Sequence, residues 1–178
     1  MRWELLFDDL EHTAEALQLL ERDSDIAERT RAELQTVAWT DRCVGAQVAL
    51  RVKTLGVLRG TVDTVTPTWL LLHADRGSDW VVATDAVLGV VGAPREAGPQ
   101  PHAALAARMT WVNVWSILSR DRARVHVVRR DGGDVDGVAA RVGKDFVELW
   151  CTDPADPEHA GRTEIVPYVA VVAVRCPR

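Results

Sequence analysis

Residues 3–37 carry apolar side chains at three- and four-residue steps: Leu6, Leu10, Ala14 and Leu17, then Ile26, Thr30 and Leu34. This is the period of an amphipathic helix, and no glycine or proline interrupts it. The run "ERDSD" at 21–25 is its weak point, where Ser24 or Asp25 suits an N-cap and Glu28 stands three residues after Asp25 as a capping-box partner. The pattern predicts either one long kinked helix or an antiparallel helical hairpin. Its apolar stripe of Leu6, Leu10, Leu17, Ile26 and Leu34 is narrow, close to a coiled-coil seam. Two destinations suit such a stripe: the remainder of the chain, or a docking face for a second copy or another protein.

From residue 47 the period changes to two. Val48, Leu50 and Val52 alternate with Arg51 and Lys53, which predicts a half-buried strand. Gly56, Gly60, Thr66-Pro67 and Arg76-Gly77-Ser78 punctuate the next thirty or so residues, at the spacing of short strands in a small all-β barrel. The Pro/Gly-rich stretch "APREAGPQP" at 93–101 reads as a connection. A helix is predicted from about 102 to 119, with Leu105, Met109, Val112 and Leu118 at helical spacing, and strand-like alternation resumes at Arg124. The organisation read from these changes is a helical segment at 1–40, a first β unit at 41–92, a linker at 93–101, and a helix with a second β unit at 102–178.

The two β units align with each other. "VALRVKTLGVLRGTVDTVTPTWLLLH" (48–73) matches "VHVVRRDGGDVDGVAARVGKDFVELW" (125–150) without a gap, at an offset of 77. Gly56 meets Gly133, Gly60 meets Gly137, and Trp69 meets Phe146. After a loop seven residues longer in the second copy, "VVATDAVLGVV" (81–91) matches "IVPYVAVVAVR" (165–175). An internal repeat of this kind means one structural unit made twice. Gly60 and Gly137 each sit inside a strand pattern, where glycine marks a bend or a close backbone approach.

A helix followed by five short strands, the second bent at a glycine, resembles the Sm-like barrel. The resemblance spans both repeats and the helices before them. It implies a mainly β fold with some α: two tandem five-stranded Sm-like small barrels, each preceded by a helix, plus the acidic N-terminal helix or hairpin. In the Sm pattern an aspartate and an asparagine follow the strand-two glycine at six and ten residues and line an RNA-base pocket. Thr66 and Leu70 hold those places in the first copy, Gly143 and Val147 in the second, so the resemblance implies the barrel without the usual base pocket. The opening "MRWELLFDDLE", the middle "AERTRAEL" and the second half with "LSRDRARVHVVRRDGG" also resemble a family of actinobacterial proteins with two such barrels, some of which carry the label Fis-type transcriptional regulator. The sequence offers no paired short helices with a basic recognition face to match that label.

Charge sharpens the picture. The net of −5 comes from residues 1–40, which hold four basic and ten acidic side chains for a net of −6, leaving +1 on the other 138. That balance argues against wholesale phosphate neutralisation and leaves room only for a local basic patch. Three distant cysteines, Cys43, Cys151 and Cys176, suggest neither a disulfide framework nor a zinc site, so a cytoplasmic setting is expected. No apolar run reaches the roughly 18 residues of a membrane span.

The best anionic-ligand patch is Arg120, Arg122, Arg124, Arg129 and Arg130, with Arg141 and Lys144 as further members, although Asp121, Asp131, Asp134 and Asp136 interleave it. "DGGDVDG" (131–137) has the look of an acidic calcium loop, but it aligns with "TLGVLRG" and Asp-Gly is a hairpin signal. Trp111 and Trp115, four apart, share a helix face suited to packing on a barrel, to stacking a base or to anchoring a partner. Cys151 and His159 flank "CTDPADPEHAGR", read as a hairpin tip rather than a nucleophile pair. No nucleotide-loop, metalloprotease or hydrolase motif is present. The function expected is non-catalytic: an assembly module partnered by itself or another protein, without cofactor, metal, membrane or small-molecule substrate. The alternative is RNA or DNA binding through the arginine-rich face.

Overall fold

The computed structural model describes residues 35–75, 77–98, 103–152 and 161–177. The chain divides after Ala38 into two units, and among the described residues all the strands belong to the second, Trp39–Arg178. The expected helical stripe at Leu6, Leu10, Leu17, Ile26 and Leu34 lies outside the described residues.

Alternation along the chain becomes strands as expected. In β1 (Gln47–Val52) Val48, Leu50 and Val52 point into the core while Gln47 and Arg51 face out. A turn carrying Gly56 at φ +88° leads into β2 (Gly56–Val65), followed by β3 (Trp69–Ala74) and β4 (Ser78–Ala83). A 3-10 turn at Thr84–Ala86 then delivers β5 (Val87–Val91). After two helices the series runs again: β6 (Arg124–Arg129), β7 (Asp134–Val142), β8 (Phe146–Cys151), β9 (Thr163–Pro167), a 3-10 turn at Tyr168–Ala170, and β10 (Val171–Pro177).

These ten strands form one sheet in the order β5-β1-β2-β3-β4-β10-β6-β7-β8-β9, with every neighbouring pair antiparallel. This corrects the expectation of two closed five-stranded barrels, each preceded by a helix. The outer side of β4 does not return to β5. It pairs instead with β10, from Val82 opposite Ala173 to Ser78 opposite Pro177, and the sheet stays open with β5 and β9 at its margins. The helices are also distributed differently. Apart from helical backbone at residues 35–36, the described residues hold two helices, α1 (Ala103–Ala106) and α2 (Trp111–Arg120), and both precede β6. Turns and one isolated bridge, Val44 to Val62, occupy the stretch from Trp39 to β1. The single helix expected at 102–119 breaks because Thr110 adopts an extended backbone and its N–H donates to Asn113 Oδ1 at 2.7 Å, a fresh helix start.

Each half bends at the same places. The β2–β3 register slips between Val62 and Thr64, the β7–β8 register between Ala139 and Arg141, so each second strand carries a bulge that re-aims it. Gly60 and Gly137 permit the close crossing beside each bulge. A Cβ on Gly60 would stand 2.1 Å from the His73 carbonyl oxygen, and one on Gly137 would stand 2.6 Å from that of Trp150. The curled sheet buries Leu50, Leu70, Leu72 and Val82 in one half, and Val127, Val147, Leu149 and Val166 in the other. Each such side chain contributes roughly 1.5–3 kcal/mol relative to exposure. Helix α2 rests on β7 and adds Trp115, the largest fully buried side chain, with Trp111 stacked beside it at 6.4 Å between ring centroids.

Candidate functional site

The β4–β10 seam brings side chains of both halves onto one face. Residues directly opposite each other in antiparallel strands share a face. Trp80 of β4 is opposite Arg175 of β10, Arg175 is opposite His126 of β6, and His126 is opposite Asp136 of β7. The Arg175 guanidinium lies 5.9 Å from the Trp80 ring centroid, a cation–π contact across the seam. This row floors a groove of about 920 Å³, which Arg59, Asp75, Arg124 and Cys176 also line. Burial, and then the Asp79 carboxylate opposite it, push the Cys176 thiol up to about 11, so it is protonated at neutral pH. A second tie joins the halves at the Asp85 turn: both Asp85 carboxylate oxygens accept from Arg130 at 2.6 Å, and the Thr54 hydroxyl donates to the Arg129 carbonyl at 3.3 Å.

Two histidines sit among carboxylates. His126 Nδ1 is 3.2 Å from Asp136 Oδ1 and 3.7 Å from Asp134 Oδ2, and ligand atoms of the three lie within 4.8 Å of one another. One imidazole nitrogen and two carboxylate oxygens are chemically able to hold a divalent cation. The carboxylates are solvent-facing, and the same geometry suits a histidine hydrogen-bonded to Asp136 with Asp134 beside it. In the other half His73 Nδ1 is 2.8 Å from Asp79 Oδ1, with Asp63 Oδ1 3.8 Å from Nε2.

The seven basic residues singled out in the sequence do not form one surface. Arg129 is ion-paired with Glu164 and stands 3.6 Å from Asp131, while Arg130 is held by Asp85 and by the Val169 carbonyl. Arg120 pairs with the adjacent Asp121 at 3.1 Å, and Arg141 lies 3.8 Å from Glu148. Arg122 takes a positive φ of 49° in the turn after α2, and Lys144 is exposed in the β7–β8 turn. Arg124 alone of the seven lines the seam groove. Its companions there, Arg59 and Arg175, were missed because they lie far apart in the chain. The signal available was the equivalence of the halves, since Arg59 and Asp136 occupy matching positions in the second strand of each.

Of the remaining sequence candidates, Trp111 and Trp115 are buried against the sheet. Residues 131–133 of "DGGDVDG" make the β6–β7 turn, where the Gly133 N–H donates to Asp131 Oδ1 at 2.9 Å. Cys151 is buried in β8; His159 and the loop around it lie outside the described residues.

The margins of the sheet are the other exposed feature. Each of β5 and β9 pairs on one side only. Leu88 of β5 is 65% exposed and Ile165 of β9 is 59% exposed, while their counterparts at the seam, Val172 and Val81, are 0% and 6% exposed. Beside β5 runs a second groove of about 430 Å³, lined by Trp39, Arg42, Leu88, Gly89 and Gly92 among others. Among the described residues no helix is long and apolar enough to cross a membrane. No protein-family model matches the chain, and no curated protein matches it.

Proposed function

We propose that this protein is a non-catalytic assembly module, built from one duplicated five-strand unit, that associates with further copies of itself through the free margins of its sheet. β9 of one copy pairs with β5 of the next, in the manner that β4 pairs with β10 inside the chain. The observation that carries this reading is the contrast between Leu88 and Ile165, exposed at the margins, and Val172 and Val81, buried at matching positions of the seam. An open strand edge presents unpaired backbone donors and acceptors, and a partner strand satisfies them while covering the apolar side chains. Applying the seam register to the margins sets Gly89 opposite Val166, Val90 opposite Ile165 and Val91 opposite Glu164. The RNA-binding alternative has less support, because Arg129 and Arg130 are already neutralised by carboxylates.

Light scattering over a dilution series from about 1 µM to about 200 µM tests the reading. The expected result is a mass rising above the 19.6 kDa of one chain, and a return to that mass in Ile165→Lys and in Leu88→Lys. A parent protein that stays at one chain's mass throughout overturns the proposal.

A further inference from the structure

Arg59 and Asp136 are equivalent positions of opposite charge, and both line the seam groove. The flanking main chain confirms the match: the Arg59 carbonyl accepts from the Asp75 N–H at 3.2 Å, and that of Asp136 from the Thr152 N–H at 2.8 Å. At the seam, therefore, an arginine of β2 and an aspartate of β7 border one cleft from opposite sides.

We infer that this charge inversion favours one polarity of self-association, making β9 select β5; the inference rests on the edge-pairing reading above. When β9 of one copy meets β5 of the next, β7 takes the place of β2, and β2 takes the place of β7. Asp136 and Arg59 exchange sides and again border one cleft with opposite signs. Asp134 joins Asp136 at the position matching Val57, Arg162 stands where Ser78 does, and Glu164 is already held by Arg129. The β9 side thus brings Asp134, Asp136 and Arg162, and the β5 side brings Arg59, which makes no ion pair among the described residues. A β9–β9 or a β5–β5 contact, antiparallel like every pair in this sheet, would put the aspartates or the arginines of the two copies at opposite ends of the joint and lose the facing of Arg59 and Asp136. Unlike charges facing each other across an interface favour the matching partner and fix its register.

The experiment compares the parent with Arg59→Asp, Asp136→Arg and the double exchange, by light scattering at about 50 mM and about 500 mM salt. Far-UV circular dichroism checks the fold of each variant. Where Asp136→Arg, which also loses its His126 contact, fails to fold, Asp134→Arg takes its place. Each single reversal is expected to weaken association about fivefold at low salt. The double exchange returns it to within about twofold of the parent, and high salt shrinks the differences. Single variants that associate like the parent, or an exchange that rescues nothing, overturn the inference and leave self-association standing. A parent that never exceeds one chain's mass overturns both.

Discussion

At the turn between β2 and β3, Thr66 is buried: its hydroxyl accepts from the Trp69 N–H at 3.0 Å and donates to the Trp69 carbonyl at 2.9 Å. At the matching turn between β7 and β8 stands Gly143. A Cβ there would fall 2.3 Å from the Phe146 ring, and the Gly143 carbonyl accepts from the Tyr168 hydroxyl at 2.9 Å. The main chain makes the same bond in both, from Thr66 to Trp69 and from Gly143 to Phe146, each at 2.8 Å. One backbone path is therefore held in one half by a side-chain hydroxyl, and in the other by a ring laid over an absent side chain. The path is what the two halves share; the means of holding it are free to vary.

The comparison breaks most severely at the shared glycines. Gly60→Val is expected to prevent stable folding, a cost of about 4 kcal/mol or more, because the new side chain meets backbone at 2.1 Å; Gly137→Val, at 2.6 Å, should be milder, as thermal melts will rank them. Next comes a feature of the second half, the helix. Trp115→Ala leaves a cavity beneath α2 and should lower stability by about 3–5 kcal/mol in denaturant titration. At Thr66, replacement by Val removes the hydroxyl and orphans the buried Trp69 N–H, at about 1–3 kcal/mol, whereas Gly143→Ser gains no such role and collides with Phe146.

Alkaline pH sharpens the contrast at the last strand of each half, where Cys176 matches Gly92. The fold raises this thiol from 9.0 to about 11, so its contribution is complete below pH 9 and lost as pH rises through about 11. Urea midpoints should fall across that window in the parent and fall less in Cys176→Ala. The smallest effect is expected at the seam. Asp85→Ala removes an ion pair whose carboxylate is largely exposed, so about 0.5–1 kcal/mol of stability should go, and less at high salt.

Strand positions were legible in the sequence because each rests on local signals: alternation at Val48, Leu50 and Val52, glycines at turns, and an offset of 77 that carries β1–β3 onto β6–β8. Closure was not legible. Whether β4 turns back to β5 or reaches across to β10 is a choice between two partners with similar Val-rich edges, and no short pattern encodes it. The break at Thr110 was present as Thr110 with Asn113 three residues later, but the apparent stripe through Leu105 and Met109 hid it. The face actually buried is Trp111, Val114, Trp115 and Leu118, while Leu105 is exposed. The arginine cluster failed as a surface for a related reason. Closeness in sequence put Arg129 and Arg130 together, yet Arg129 ends β6 while Arg130 begins the turn after it, and each found a different carboxylate, Glu164 and Asp85.

The covalent link between the halves has an arithmetical consequence. Units of five strands arrive in tethered pairs, so any circle closed by such copies contains an even number of them. Around its circumference two kinds of joint must alternate: one with the Asp85–Arg130 pair and the Trp80–Arg175 stack, the other with Val169 and Val91 at the corresponding places. Dilution would part such a circle at every second joint and never at the ones between.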